Sequence, residues 1–519
     1  VAFTPYSTLQ PLAPISVIQP IAKPTWIVNP LDQERILSYQ MYEQIYWNVP
    51  ETFKLVARSS ESRPIYIPNA KTIIETVNRY TATKFSFRME PDPLFTGGTR
   101  TDPILAKQFM RNFCNRERFG SKFAGNKRYG IMRGDWLWHL KANPLKPQGS
   151  RISIEPLDPA SYFPVWHPND LDKIIGVRIV DQVMEGDKPF ISRLTYMKAV
   201  DANFNPIEGG FVTMEHGIYD LEEWEDPEAS PVRVITAPVT LNGITSLPVY
   251  HIKNFDEPNN PFGSSELRGI ERVIAGVNQA VSDQELALAM EGLGFYWTDA
   301  PPPTDPLTKQ KTNWLLGPGR VAEIPMGRKF ERVKGLDSGG VDAALKHIKY
   351  LEQSMQRSTG VSDAAVGMVD VSVEVSGVAL YLQMGPLLSS TEEKDTSVIE
   401  VHAQMFHDLA MQWFPTYEGF KFDGLSIIPT VGDKLPTDRK EVLEECKFMV
   451  ENKIASAAYI RTVLSEKLGY TFPEEMGLDI IQERAALAEA EDPFAARLDA
   501  ELGDTGGVTS NGDNTLPAV

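Results

Sequence analysis

The chain has 519 residues, 42% hydrophobic and 23% charged, which is ordinary for a folded soluble protein and long enough for several domain-sized units. A net charge of −18 argues against a surface that grips nucleic acid everywhere, because neutralising phosphates takes cations. No run of about 18 apolar residues is present to span a membrane, and the start VAFTPYSTLQPLAP lacks the basic segment and apolar core of a secretory signal. Cys114 and Cys446 have no CxxC or CxxH context and read as free thiols of a reducing compartment.

Residues 1–30 carry six prolines and no periodicity, so they read as an extended arm of the kind that lies across a neighbour. DQERILSYQMYEQIYW at 32–47 has helical spacing, with Asp32 as its expected N-cap. Residues 69–80 and 102–118 are further helices. A β-rich texture follows. In GDWLWHLKA, Trp136, Trp138 and Leu140 share one face, and RISIEP, GVRIVDQV, SRLTYMKAV, GFVTMEHGIY and VRVITAPVTL are separated by turn-forming residues.

From residue 263 the pattern becomes helical. Leu267, Ile270, Ile274, Val277, Val281 and Leu288 make one narrow stripe behind Ser264, the expected N-cap. A helix over 264–292 would be roughly 40 Å long and suits packing against other long helices. Residues 292–340 read as short strands and tight turns. Between Pro306 and Lys334 lie seven basic residues, Lys309, Lys311, Arg320, Arg328, Lys329, Arg332 and Lys334, against Glu323 and Glu331. A second helix at 342–358 places Leu345, Ile348, Leu351 and Met355 on one side. Lys346, Lys349, Gln353 and Arg357 form a stripe roughly opposite, whose plain reading is a solvated face.

VGMVDVSVEVSGVAL follows at 366–380. Its valines alternate with Asp370, Ser372, Glu374 and Ser376, which on local evidence alone is a half-buried connecting strand. Residues 377–413 have helical spacing interrupted by Gly385-Pro386, where a kink is expected because proline removes the bond to the carbonyl of Leu382. Residues 437–467 and 474–491 are a last helical group. Residues 473–505 hold ten acidic residues against Arg484 and Arg497, and the tail has the composition of disorder.

Motifs for chemistry are missing. There is no GxxxxGK[ST] phosphate loop and no GxSxG elbow, and GPGR at 317–320 lacks the context of a dinucleotide fingerprint. His402 and His407 are five apart, about 140° around a helix, unlike a zinc-binding pair. The expectation is no catalytic residue, no metal, no cofactor and no enzymatic activity.

Several segments together resemble the portal proteins of tailed bacteriophages, particularly those of phages that infect actinobacteria. LPVYHIKNFDEPNNPFGSSELRGIERVIAGVNQAVSD resembles the family's passage from wing to stem helix. STGVSDAAVGMVDVSVEVSGVALYLQMGPLL is similar to the passage into its tunnel-lining helix, and ENKIASAAYIRTVLSEKLGYTFPEEMGLDIIQERA to its crown. GDWLWHLKANP followed by ISIEPLDPASYFPVW resembles the wing β region. Each motif is short, and it is their order that is specific.

The resemblance implies an α+β portal fold with an α/β wing. The arm would be 1–30, the wing 31–262 plus 415–436, and the stem helices 263–292 and 341–358 around a β-rich clip at 293–340. The tunnel loop would be 359–376, the kinked tunnel helix 377–414, the crown 437–492 and the tail 493–519. It further implies a homo-oligomeric ring, typically a dodecamer, at one capsid vertex. DNA would be packaged and ejected through the ring, with terminase, a head–tail adaptor and the major capsid protein as partners.

In that frame Met368, Val369, Asp370, Val371, Ser372, Val373, Glu374 and Val375 form a tunnel loop of low DNA affinity. Lys346, Lys349, Gln353 and Arg357 approach the channel, or else pair with a neighbour's Glu271 or Asp283. Lys309, Lys311, Arg320, Arg328 and Lys329 meet DNA or dock the adaptor or terminase. The competing readings are a minor capsid protein and a nuclease or motor subunit.

Overall fold

The computed structural model describes residues 26–27, 29–56, 64–83, 85–226, 229–258, 260–293, 295–304, 310–311, 326–333, 338–368, 377–432, 434, 439–452, 454–455, 457–468 and 470. The chain divides into two compact units, Val1–Lys434 and Leu435–Val519.

Helix α1 (Pro30–Tyr46) is capped by Asn29, whose side chain accepts from the Leu31 amide, and Pro30 supplies a helical φ in the first turn. The cap is therefore Asn29 and not Asp32. Asp32 lies one turn in and accepts from Arg35 at 2.9 Å. That guanidinium also donates to the carbonyls of Pro159 and Tyr162 and lies 4.2 Å from the Phe262 ring centroid. Tyr39, Tyr42 and Tyr46 share one face of α1. Their hydroxyls donate to Asp135, to Glu271 at 3.0 Å and to Glu75 at 2.6 Å.

Helix α2 (Asn69–Tyr80) occupies the expected residues, and β1 (Phe85–Pro91) follows. The single helix expected at 102–118 is two. Helix α3 (Pro103–Arg116) is capped by Asp102, and α4 (Phe119–Arg133) starts after Arg118, which takes a left-handed φ of 53°. Gly120, Gly125 and Gly130 weaken the helical signal of α4 in sequence. At Gly130 the glycine has a packing reason, since a Cβ there would overlap the ring of Trp136.

Strands β2 (Asp135–Ala142) and β3 (Ile152–Leu157) begin a three-stranded sheet. Next come β4 (Tyr162–His167), β5 (Asp170–Glu185), β6 (Lys188–Met197), β7 (Thr213–Tyr219) and β8 (Arg233–Thr240), an antiparallel meander in chain order. Strand β9 (Val249–Lys253) pairs with the free side of β2, giving the order β3-β2-β9.

Trp136, Trp138 and Leu140 do share a face, as expected, and enter the largest core with Phe119, Phe123 and Phe406. Leu137 enters a second core with Tyr162, Val177 and Tyr196, so β2 is covered on both faces. A third core packs Ile27, Ile36 and Trp224 on the far side of the five-stranded sheet, against Val180 and Ile191. Helices, sheet, sheet and the α1 end thus form successive layers.

The next helix begins later than expected. Ser264 is not its cap: its hydroxyl donates to Glu257 at 2.8 Å, and Ser265 donates to the Met132 carbonyl. Gly269, at φ +89°, turns the chain before α5 (Glu271–Leu293) starts. Strands β10 (Phe295–Thr298) and β11 (Phe330–Val333) pair antiparallel, and α6 (Ser338–Thr359) returns. Short helix α7 (Asp363–Val366) precedes α8 (Gly377–Asp408), which continues as a π-helical segment over Leu409–Glu418. The π segment buries Leu409, Ala410, Trp413 and Phe414 in the largest core. Strand β12 (Leu425–Val431) closes this unit by pairing with β1, Phe85 opposite Val431.

His402 is a core histidine. It accepts from the Trp138 indole at 3.0 Å and sits 2.6 Å from the Val398 carbonyl, and burial pushes its pKa down to about 4. In the second unit, α9 (Arg439–Glu451) and α10 (Ala457–Leu468) pack through Val442, Cys446 and Ile460. The helix expected at 474–491 and the tail lie outside the described residues.

Two glycines of α4 separate packing from propensity. Gly130→Ala should destabilise the fold by about 1–3 kcal/mol through overpacking against Trp136. Gly125→Ala, whose added methyl meets nothing within 4 Å, should be neutral or stabilise by up to about 1 kcal/mol. Urea midpoints of the two variants check this, and equal shifts would contradict it.

Candidate functional site

Helices α5 and α6 pack against each other. Phe295, just after α5, pairs with Val333, just before α6, and a Cβ built on Gly276 would lie 3.8 Å from Leu351, so the pair is antiparallel. Lys346, Lys349, Gln353 and Arg357 are all exposed and lie within an arc of about 80° on α6, spread along roughly 16 Å of helix. Among the described residues, none of these cations forms an ion pair. Glu271, one expected partner from a neighbour, is buried and already holds the Tyr42 hydroxyl and the Gly269 amide. Asp283 accepts from Gln279 at 2.9 Å.

The apolar side of α6 is shorter than its spacing implies. Met355 is buried and Leu351 and Ile348 half-buried, but Leu345 is 51% exposed, as is Tyr350 at 63%. Only the second half of α6 therefore seats its apolar stripe within the chain.

In the β10–β11 module, Arg328 lies 3.8 Å from Asp299, whose carboxylate also accepts from the Lys329 amide at 2.7 Å. Asp299 thus offsets part of the basic cluster. Lys311 and Lys329 are exposed; Lys329 is close in sequence to the exposed Met326, and Trp297 on β10 is half exposed. Lys309 and Arg320 lie outside the described residues.

The expected tunnel loop, 359–376, is described only as far as Met368, which is 71% exposed. Val369, Asp370, Val371, Ser372, Val373, Glu374 and Val375 lie outside the described residues. The first residues of the expected loop instead form an elbow and the short helix α7. Gly360 turns at φ +70° after α6, Ser362 caps α7, and Gln356 reaches across to Asp363 at 2.5 Å. The Ser-Thr-Gly-Val-Ser run was the available signal, since glycine and serine supply the turn and the cap.

Gly385 and Pro386 sit inside α8, which runs on through both. Pro386 receives the elbow: a Cβ on Gly360 would come within 3.2 Å of its carbonyl carbon and of the Leu387 amide. Leu382, whose carbonyl loses its helical donor to Pro386, is 70% exposed.

Behind this surface lies a buried charge pair. Lys394 on α8 binds Glu266 in the turn before α5, with side-chain exposures of 2% and 3%, and lies 4.3 Å from the Phe255 ring centroid. Next to it on α8, Asp395 pairs with Lys434 at 3.0 Å and accepts from the Ala82 amide. Burial raises the pKa of Asp395, while Lys434 and the amide pull it back.

No family model matches the chain, and no curated protein matches it. Among solved structures it is similar to a chain from the virion of a native gene transfer agent (GTA) particle. The likeness has a TM-score of 0.41 and 11% identity over 82% of this chain and 93% of that chain. A likeness at that level carries no argument about function.

The Lys394–Glu266 pair gives a direct test of what joins α8 to the start of α5. Glu266→Gln should cost about 3–5 kcal/mol by stranding a buried ammonium, whereas Glu266→Leu with Lys394→Met should cost far less. Chemical denaturation of both variants checks this, and a double variant as unstable as the single would refute it.

Proposed function

We propose that this chain is a portal protein: copies form a ring at a capsid vertex, twelve in the family it resembles, through which double-stranded DNA enters and leaves. It acts as a conduit and not as an enzyme. Terminase and a head–tail adaptor would dock at the β10–β11 end, and the major capsid protein would surround the ring.

The observation that carries this reading is the order of α5, β module and α6, with a cationic stripe on α6 that no described carboxylate of the chain neutralises. A long antiparallel pair that carries a small β module at its far end is an economical way to build the wall of a channel from repeated copies. Charge supports it as well. A conduit must not hold DNA tightly, because every neutralised phosphate adds affinity, and a chain of net charge −18 repeated around a ring repels the duplex from most of the wall. A few cations can then centre the strand without clamping it.

Partner docking at the β module is favoured over DNA contact there. Asp299 offsets the charge of Arg328, and the exposed Trp297 and Met326 offer apolar area to a protein surface. Among the described residues no helix is long and apolar enough to cross a membrane.

Electron microscopy of the purified chain should show rings with a central hole. Lys346→Glu with Lys349→Glu should leave rings intact and lower DNA packaging at least tenfold in a packaging assay. Wild-type packaging by that variant would overturn the channel assignment.

A further inference from the structure

An open cleft of about 390 Å³ lies between the β6–β7–β8 side of the five-stranded sheet, β2 and the π-helical segment. Its floor is formed by the buried Tyr196, Trp413 and His139, and the half-buried Tyr417 and His216 present aromatic surface to it. It carries no free charge. Burial pushes the pKa of His139 down to about 3 and lowers that of His216, and Lys141 is paired with Glu155 at 2.5 Å. Its rim is strand β8, the outer strand of its sheet, where Val234, Ile235 and Val239 are each about half exposed. An apolar strand edge of this kind invites a further chain.

The sequence offers an occupant. Residues 1–25 lie outside the described residues and contain five prolines and a single charged side chain, Lys23. They include Pro11-Leu12-Ala13-Pro14, a PxxP run. Proline-rich segments are recognised by aromatic-lined grooves, because their backbone is already ordered and loses little entropy on docking. A cleft whose one cation, Lys141, is already paired suits an almost uncharged arm, and twenty-five residues span roughly 80 Å when extended.

The root of the arm favours a second copy over its own. Trp26 is held by the Trp224 indole, which donates to its carbonyl at 2.6 Å, and packs against Phe163. That contact lies on the opposite face of the five-stranded sheet from the cleft: Arg193 of β6 points to Trp224, whereas Tyr196 points into the cleft. Each arm therefore starts with the sheet between it and its own cleft.

We infer that the cleft is a docking site for residues 11–14 of a second copy of this chain, so that each arm fastens one subunit to another. This rests on the ring reading above. The test co-expresses two differently tagged chains, one carrying Leu12→Cys and the other Val239→Cys, the latter at a half-exposed position of the rim. The native thiols interfere little: Cys446 is buried, and burial raises the Cys114 pKa to about 12.

On mild oxidation, an interchain disulfide at least tenfold above a Leu12→Cys with Met326→Cys control is expected, falling at least fivefold when Pro11→Ser and Pro14→Ser are added. Intact rings without that disulfide would overturn the docking and leave the portal reading standing. A disulfide formed only within one chain bearing both cysteines would place the arm on its own copy and overturn the inference. A full chain that stays monomeric would overturn the ring reading and this docking with it.

Discussion

Three tyrosine hydroxyls on one face of α1 hold together parts of the chain that are far apart in sequence. Tyr39 donates to Asp135 at the start of β2, Tyr42 to Glu271 at the start of α5, and Tyr46 to Glu75 on α2. Asp135 is fully buried and also accepts from the Gly263 amide and meets His251, each at 2.6 Å. A buried carboxylate is tolerable only when its oxygens are bonded in this way. Burial and the neighbouring carboxylates push all three phenols well above their ordinary pKa, so they stay donors. Remove the face of α1, and the sheet, the helix pair and α2 lose their common reference.

From that anchor the chain separates rigidity from exposure. The layers around β2 are aromatic and closed on both faces, and the buried Lys394–Glu266 pair links α8 to the turn before α5. Beyond them, α6 leaves Leu345, Tyr350 and four polar side chains in water, and α8 leaves Tyr381 and Leu382 exposed. Exposed apolar area on long helices is what a subunit of a ring would cover with its neighbours. The layers around β2 thus hold the shape of the chain, while the long helices carry its uncovered apolar surface.

Local patterns carried well where one element decided the matter. The helix at 69–80 was legible because its apolar spacing is strong, and the α6 stripe because 100° per residue is enough to group Lys346, Lys349, Gln353 and Arg357. Legibility failed where a distant group changed the local rule. Ser264 reads as a cap until Glu257 takes its hydroxyl, and α4 is obscured by glycines, one of which exists for the ring of Trp136. Strands β1 and β12 find each other across more than three hundred residues, and no window of sequence contains that pairing.

The sequence by itself determined the element types with strong periodicity, the turns that glycine and proline impose, the acidic balance, and the position of the cationic stripe. Each of these depends on neighbours within a few turns of chain. Only the tertiary structure decided which carboxylates accept from α1, that β2 is covered on both faces, that Asp299 offsets Arg328, and that Glu271 is spoken for. Those outcomes depend on burial and on partners brought close by folding, where the low polarity of the interior makes a hydrogen bond or ion pair matter far more than it does in an extended chain.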